Sequence, residues 1–377
     1  MLPASLPGDC VRRFSFLLLS CLLIAASLPA QTAPNHYAEA EARWKAATEA
    51  NSKDAEAWAQ LGLTLALEGK YPEAVPAYRK ALELGLKAPG LHLDLGLALF
   101  KQEQFKDAIP VLKAAVVEAP KDTRPKLLLA MSYYGAGQYA EAIPYLESGV
   151  AAAPNNLQLR TTLAQSCLWA GQYRCTLDQY KLILQQAPDS AQADMLAGEA
   201  FDGLGQTDNA IEQFRAAEKA DPHTPEVHFG LGYLLWKQHK YDEAEAEFKL
   251  EREENPNHAQ ALAYLGDIAL KNNDEDTAAD YLKQAIAQRS ATRLAFLDMG
   301  IVNAAQNQNE EAEANLKRAI AMDPSQPDAH WRLARLYSAM GKRQEAQAEF
   351  AKTNELHQQA DESLVKKMSG QPKPDEQ

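Results

Sequence analysis

Residues 55–88 read AEAWAQLGLTLALEGKYPEAVPAYRKALELGLKA, and the fold follows from this stretch of 34 residues. Its apolar residues recur every three or four positions in two runs, which Gly69 and Lys70 separate. This spacing is typical of two helices that each have one apolar face. The first run contains the small Gly62 and the second contains the large Tyr78. We expect the two helices to approach closely where these residues meet.

The same pattern returns every 34 residues along most of the chain. Steps of 34 from Pro120 meet proline at five of the next six positions, and ten positions in register from Ala40 include nine alanines. Such prolines end the second helix because they lack an N–H group. We expect Asn155 and Asp189, which directly follow two of them, to cap the next helix. The units begin at residues 55, 89, 123, 157, 191, 225, 259, 293 and 327.

With this period, and with Trp58, Leu61, Gly62, Ala74 and Tyr78 at fixed places, the chain resembles the tetratricopeptide repeat family. The resemblance implies an all-α fold, a right-handed superhelical solenoid of antiparallel helix pairs. Nine repeats are expected at residues 55–360, after a half repeat at 31–54. A capping helix and a disordered tail are expected at residues 361–377.

Residues 1–30 are expected to be a bacterial secretory signal and not part of the fold. Arg12 and Arg13 precede the apolar run 14–28, and the chain then becomes polar. That run is shorter than the roughly 18 to 20 residues that span a bilayer, so an uncleaved anchor is the weaker alternative. Lipidation of Cys21 is disfavoured because the apolar run continues beyond it. We therefore expect an exported protein, periplasmic or secreted, that meets membranes only through partners or an uncleaved signal.

The charge of the chain argues against binding to nucleic acid. The sequence contains 38 Lys and Arg against 51 Asp and Glu, a net charge of −13. Loss of residues 1–30 removes two arginines and one aspartate, which makes the charge −14. Affinity for a phosphate backbone comes from clustered basic residues. The composition therefore excludes the nucleic-acid-binding class but names no function.

No motif in the sequence indicates catalysis, a cofactor or a metal. The eight histidines include no HExxH pair, and most lie near repeat boundaries or turns, where we expect solvated side chains. Residues 272–276 begin like a calcium loop but lack its glycine and its closing glutamate. We therefore predict no enzyme activity, no catalytic residue, no cofactor and no metal site.

Cys167 and Cys175 are the two cysteines that remain once the leader is removed. An exported protein meets an oxidising compartment, and a gap of eight residues could bring the two thiols together across the turn. However, Cys175 lies about 100° away from the inward-facing Thr176 on a helical wheel. A disulfide and a pair of free thiols both stay open.

The resemblance implies that the first helix of each repeat lines a concave surface for a peptide or protein ligand. Members of the family that grip a C-terminal carboxylate have Lys at the fifth position, and no repeat here has it. We therefore predict contacts to an extended or helical segment through apolar and aromatic side chains. The alternative is that such aromatics are ordinary surface residues of the family. The candidate groove residues are Leu97, Phe100, Met131, Tyr134, Trp169, Phe229, Tyr233 and Trp236.

Two functional interpretations follow from these features. The first is a non-catalytic protein–protein interaction scaffold of the bacterial cell envelope. The alternative is a dedicated periplasmic carrier, or an auxiliary subunit of an export, pilus or polysaccharide assembly machine. Neither the partner nor the oligomeric state is specified by the sequence.

Overall fold

A computed structural model describes residues 34–368 of the chain. These residues form nineteen α-helices and contain no strand. The prediction of an all-α helical solenoid is therefore confirmed. The predicted signal, residues 1–30, and the predicted tail beyond residue 368 lie outside the described residues.

The chain divides after Ala210 into two compact units, and each is described by itself. In the N-terminal unit each helix packs against the next one along the chain. Its helices are α1 (Pro34–Ala50), α2 (Ala55–Leu67), α3 (Tyr71–Glu83), α4 (Leu91–Lys101), α5 (Phe105–Glu118), α6 (Thr123–Gly135), α7 (Tyr139–Ala152), α8 (Leu157–Trp169), α9 (Tyr173–Leu184) and α10 (Ala191–Gly203).

The C-terminal unit repeats the same arrangement of helix pairs. The division falls inside α11 (Thr207–Ala220), and most of that helix belongs to this unit. The remaining helices are α12 (Val227–Lys237), α13 (Tyr241–Glu254), α14 (Ala259–Lys271), α15 (Glu275–Ala287), α16 (Arg293–Ala305), α17 (Asn309–Met322), α18 (Pro327–Ala339) and α19 (Arg343–Met368).

Close approach of the two helices in a repeat depends on the small residue at the eighth position. A Cβ atom added to Gly62 would lie 2.7 Å from the ring of Tyr78, which is completely buried. The same contact recurs in the C-terminal unit, where a Cβ on Gly232 would lie 2.8 Å from the ring of Phe248. The packing predicted from the sequence is confirmed. Each repeat thereby presents its first helix at a fixed distance from its second.

The helix caps lie one residue later than the sequence suggested. Asn156 caps α8 and Ser190 caps α10, each through a side-chain oxygen that accepts a backbone N–H three residues on. The prediction that Asn155 and Asp189 cap these helices was wrong. Each proline needs two following residues to complete its turn before the next helix starts, so the cap falls on the second residue after it.

Both ends of the described chain are helical. The single helix α1 occupies the region of the predicted half repeat. At the other end α19 runs without a break from the second helix of the ninth repeat to Met368, so the predicted capping segment is its continuation. Among the described helices, none combines the length and the apolar character that a membrane span requires.

Candidate binding surface

The eight predicted groove residues all lie on first helices of repeats. Helices α4, α6 and α8 hold those of the N-terminal unit, and α12 holds those of the C-terminal unit. Half of the eight are buried, namely Met131, Tyr134, Phe229 and Tyr233. The other half are half-buried and keep part of the side chain at the surface, namely Leu97, Phe100, Trp169 and Trp236. Among these four residues, the two tryptophans have the largest side chains.

In the N-terminal unit, Trp169 belongs to a group of rings that we name the N-terminal aromatic cluster. Its ring centroid lies 5.7 Å from that of Tyr134 and 4.8 Å from that of Tyr139. Phe100 and Phe105 form an edge-to-face pair at 5.4 Å in the same unit. The cluster comprises Tyr134, Tyr139 and Trp169.

A hydrogen bond from Tyr134 of this cluster joins two consecutive first helices. The hydroxyl of Tyr134 on α6 donates to Oε1 of Gln165 on α8, at 2.8 Å. Both side chains are buried, so loss of either partner would leave a polar atom without its bond. The bond fixes the orientation of the Tyr134 ring against Trp169.

In the C-terminal unit, Trp236 belongs to a second group that we name the C-terminal aromatic cluster. Tyr264 lies at its centre, with ring centroids 4.9 Å from Trp236, 5.8 Å from Tyr233 and 5.2 Å from Phe248. Phe229 lies 6.2 Å from Tyr264. Burial raises the pKa of Tyr264, with Tyr233 and Asp267 adding to the effect, so its hydroxyl stays neutral at physiological pH. The cluster comprises Phe229, Tyr233, Trp236, Phe248 and Tyr264.

Charged groups lie directly against the C-terminal aromatic cluster. The indole Nε1 of Trp236 donates to Oδ2 of Asp267 at 2.6 Å, and Nζ of Lys271 donates to Oδ1 of the same carboxylate at 2.6 Å. Nζ of Lys271 also lies 5.8 Å from the centroid of the Trp236 ring, within the range of a cation–π contact. The carboxylate thus holds the indole and the ammonium together at one edge of the cluster.

A second carboxyl group, that of Asp298 on α16, lies near Asp267. Asp298 is only 4% exposed, and its Oδ2 atom has no hydrogen-bond partner. Burial raises its pKa well above the ordinary value, and the charge of Asp267 raises it further, while Lys271 and Arg332 act in the opposite direction. This region of the C-terminal unit therefore contains a carboxyl group that resists ionisation.

The sequence placed Gln165 and Asp267 among the residues that line the predicted groove, but it did not identify them as hydrogen-bond acceptors, and it did not identify Tyr264 at all. Gln165 and Asp267 each lie 31 residues after the aromatic residue that they bind. In a 34-residue period this separation joins the twelfth position of one repeat to the ninth of the next. Pairing those two positions along the sequence would have found both acceptors.

Models of the tetratricopeptide repeat match residues 34–89, 68–123, 93–156, 133–200, 195–254, 229–292 and 303–369. The chain belongs to the tetratricopeptide repeat family. Proteins of this family are generally non-catalytic scaffolds for protein–protein interaction. The resemblance inferred from the 34-residue period is confirmed.

Solved structures with the same fold are related only distantly in sequence. A tetratricopeptide repeat protein from Parabacteroides merdae is 18% identical, with a TM-score of 0.51 over 65% of this chain and 96% of that one. The hetero-tetramer Cut9–Hcn1 of the APC/C is 15% identical, with a TM-score of 0.51 over 80% of this chain and 61% of that one. No curated protein matches the sequence. These likenesses show the tetratricopeptide fold alone.

The fourth tetratricopeptide repeat contains the cysteine pair. The Sγ atoms of Cys167, on α8, and Cys175, on α9, are bonded, and their Cα atoms lie 5.8 Å apart. Cys167 is buried and Cys175 is half-buried beside the buried Thr176. The helical-wheel argument against a disulfide considers only the direction of Cys175 on its own helix and not the position of the neighbouring helix. The turn between them is short enough that the third residue of α9 still reaches the last turn of α8.

Three histidines of the tetratricopeptide repeats are buried and paired with carboxylates. Nδ1 of His228 lies 2.8 Å from Glu247, Nε2 of His258 lies 3.0 Å from Glu226, and Nδ1 of His330 lies 2.6 Å from Glu349. The expectation of solvated histidines was wrong for these three. Their partners are 19 or 32 residues away, so a search for ligand spacing within one helix does not detect them.

Proposed function

We propose that each of the two aromatic clusters of this chain is a binding surface for an extended or helical segment of a partner protein. The observation that carries the proposal is the placement of Trp169 and Trp236. Each is half-buried, lies on the first helix of its repeat and packs against neighbouring aromatic rings. Rigid, partly exposed aromatic side chains on a fixed scaffold are the usual energetic anchors of protein interfaces.

The packing of each tryptophan reduces the entropy that a ligand must overcome. Trp169 is held by Tyr134 and Tyr139, and Trp236 is held by Tyr264 and by its bond to Asp267. A side chain already fixed in its bound orientation loses little rotamer freedom when a partner covers it. Anchors of this kind contribute about 2 kcal/mol or more each to binding.

Selection from a random peptide library displayed on phage tests the proposal. Affinities of the selected peptides would be measured by fluorescence anisotropy for the wild type and for Trp169→Ala and Trp236→Ala. We expect at least one substitution to weaken each peptide about thirtyfold, the equivalent of about 2 kcal/mol. Trp58→Ala is the matched control, since Trp58 is half-buried on a first helix but belongs to neither cluster. Peptides that bind all variants equally would contradict the proposal.

We further propose that this scaffold acts in the bacterial cell envelope. The support is the basic and apolar pattern of residues 1–30 and the cysteine pair, which suits an oxidising compartment. Fusion of residues 1–40 to alkaline phosphatase, which is active only after export, tests it in a bacterial host. We expect an active fusion, and we expect Leu18→Arg, which interrupts the apolar run, to reduce the activity. An inactive wild-type fusion would contradict an envelope location.

A dedicated carrier or auxiliary subunit of an envelope machine would use the same surfaces. The number of partners distinguishes it from a general scaffold. Cross-linking in living cells from a photoreactive residue at position 97, a predicted groove position on α4, would recover a single recurring protein from a carrier. Several unrelated proteins would favour the scaffold.

A further inference from the structure

Three side chains that the aromatic clusters do not use converge in the C-terminal unit. His228 on α12 is 5% exposed, and its Nδ1 lies 2.8 Å from Oε2 of Glu247 on α13. Glu218 on α11 brings a second carboxylate to the same place. One ligand atom from each of the three side chains lies within 4.8 Å of the other two. Three consecutive helices therefore contribute one donor group each.

The charge of this group is not balanced by its own members. Two carboxylates, those of Glu218 and Glu247, face the one imidazole of His228. A divalent cation between the three side chains would neutralise both carboxylates. Both glutamates are half-buried, so an ion and its remaining water ligands can reach the group from solvent.

Comparison with a second His–Glu pair in the same unit shows that Glu218 is the residue that distinguishes this group. His330 and Glu349 occupy the same repeat positions as His228 and Glu247, three repeats later, and their atoms approach to 2.6 Å. The residue equivalent to Glu218 is Ile320. A His–Glu pair is therefore a recurring structural contact between the two helices of a repeat. Glu218 is the addition that turns one such pair into a set of three ligands.

A second His–Glu–Glu group nearby is unsuited to a metal. Nδ1 of His258 accepts the backbone N–H of Ala261, because His258 is the N-cap of α14. The neutral ring therefore has its proton on Nε2, which donates to Glu226 at 3.0 Å. A metal at Nε2 would move this proton to Nδ1, where it would oppose the N–H of Ala261. The group of Glu226, Glu251 and His258 is thus a hydrogen-bonded cap.

We propose that Glu218, His228 and Glu247 form a binding site for a divalent transition-metal ion, with Zn²⁺ as its natural class. Imidazole nitrogen and carboxylate oxygen bind Zn²⁺ at about 2.0 to 2.2 Å, which sets tetrahedral ligand atoms about 3.4 Å apart. Rotation of the glutamate side chains would bring the separations between the ligand atoms, now 2.8 Å for His228 and Glu247 and at most 4.8 Å within the group, to that value. The fourth coordination site of the ion is left to water or to a side chain of a partner. A bound ion would join α11, α12 and α13.

Titration of the metal-free full chain with ZnCl₂ by isothermal calorimetry tests this site. We expect saturable binding of Zn²⁺ that Glu218→Ile, which copies the arrangement around His330, weakens at least about tenfold, as does His228→Gln. Glu349→Gln is the matched control and should leave the affinity unchanged. Far-UV circular dichroism of each variant separates loss of the site from loss of the fold. Wild-type protein that does not bind Zn²⁺, or binding that is insensitive to Glu218→Ile, would overturn the proposal.

The reverse substitution gives an independent test that does not depend on destabilised variants. Ile320→Glu places a third ligand beside His330 and Glu349, in the position that Glu218 has beside His228. We expect the number of bound Zn²⁺ ions to rise by one. An unchanged stoichiometry in a folded Ile320→Glu variant would show that the three positions do not define a metal site.

Discussion

Tyr134 and Trp236 occupy the same position of their repeats, yet the two aromatic clusters give them different chemistry. Each donates a hydrogen bond to the ninth residue of the next repeat, Tyr134 to Gln165 at 2.8 Å and Trp236 to Asp267 at 2.6 Å. The acceptor is neutral in the N-terminal unit and charged in the C-terminal unit. The repeat geometry thus determines where the hydrogen bond forms, and the acceptor side chain at the ninth position determines how polar the surface is.

The residues around the two hydrogen bonds differ in polarity in the same direction as the acceptors do. Lys271 completes a charged arrangement around Asp267 in the C-terminal unit. In the N-terminal unit Gln165 is the ninth residue of its repeat. The ninth residue of the preceding repeat is the buried, apolar Met131. We infer that the N-terminal cluster suits apolar ligand side chains, whereas the C-terminal cluster also accommodates a polar or charged one.

The largest expected effect is that of Trp236→Ala. It removes the ring packed on Tyr264 and leaves the carboxylate of Asp267 without one donor. We expect a loss of about 3 kcal/mol in the opening free energy of α12 and α14, measured by native-state hydrogen exchange. Opening of α6 and α8 in the N-terminal unit should not change. A loss below about 1 kcal/mol would mean that Trp236 has little structural support.

Reduction of the Cys167–Cys175 disulfide should destabilise part of the N-terminal unit. The closed loop is short, and the chain-entropy estimate for it is about 2.5 kcal/mol. We therefore expect reductant to lower the opening free energy of α8 and α9 by about this amount. Cys175→Ser is the control, because reductant should not affect it. Mass spectrometry of unreduced protein that finds two free thiols would contradict the bond.

Two phenylalanine substitutions test the difference in strength between the two hydrogen bonds. Trp236→Phe keeps a ring but removes a bond to a charged acceptor, for an expected cost of about 2 kcal/mol. Tyr134→Phe removes a bond to a neutral acceptor, for about 1 kcal/mol. Both costs would be measured by hydrogen exchange of the helices concerned. A larger loss for Tyr134→Phe would reverse the assignment of polar and apolar surfaces.

The smallest expected effect is a change in pH dependence from Asp298→Asn. Because the folded-state pKa of Asp298 is raised, the folded protein binds more protons than the unfolded chain once the pH exceeds about 4. Its contribution to stability is therefore present below pH 4 and is lost as the pH rises toward the folded-state pKa. We expect the melting temperature of Asp298→Asn to fall less than that of the wild type between pH 4 and pH 8. Parallel curves would contradict a neutral Asp298.

The sequence was sufficient for features that every repeat shares. The packing of Gly62 against Tyr78 follows from the 34-residue period, because one small and one large residue recur at fixed positions. Placement of the aromatic anchors on first helices follows from the same register. The period does not specify burial, so Tyr134 and Tyr233 were expected at a surface and are buried.

Features that depend on individual residues were not predictable from the period. Tyr264 lies at the centre of its cluster and occupies the sixth position of its repeat, a position that none of the candidate groove residues occupies. The carboxylate partners of His228 and His330 come from different helices, and only the packed structure brings them together. The 34-residue period predicts the arrangement of the helices, whereas individual contacts within and between repeats depend on which side chains occupy the facing positions.

Hydrogen–deuterium exchange of the chain with a peptide selected from the phage library tests the central claim most directly. If the first helices hold the ligand, exchange should slow in α8 or α12, which contain Trp169 and Trp236, and stay unchanged in the second helices α9 and α13. Protection confined to α9 and α13 would contradict the claim, because the ligand would then lie on the opposite face of the repeats.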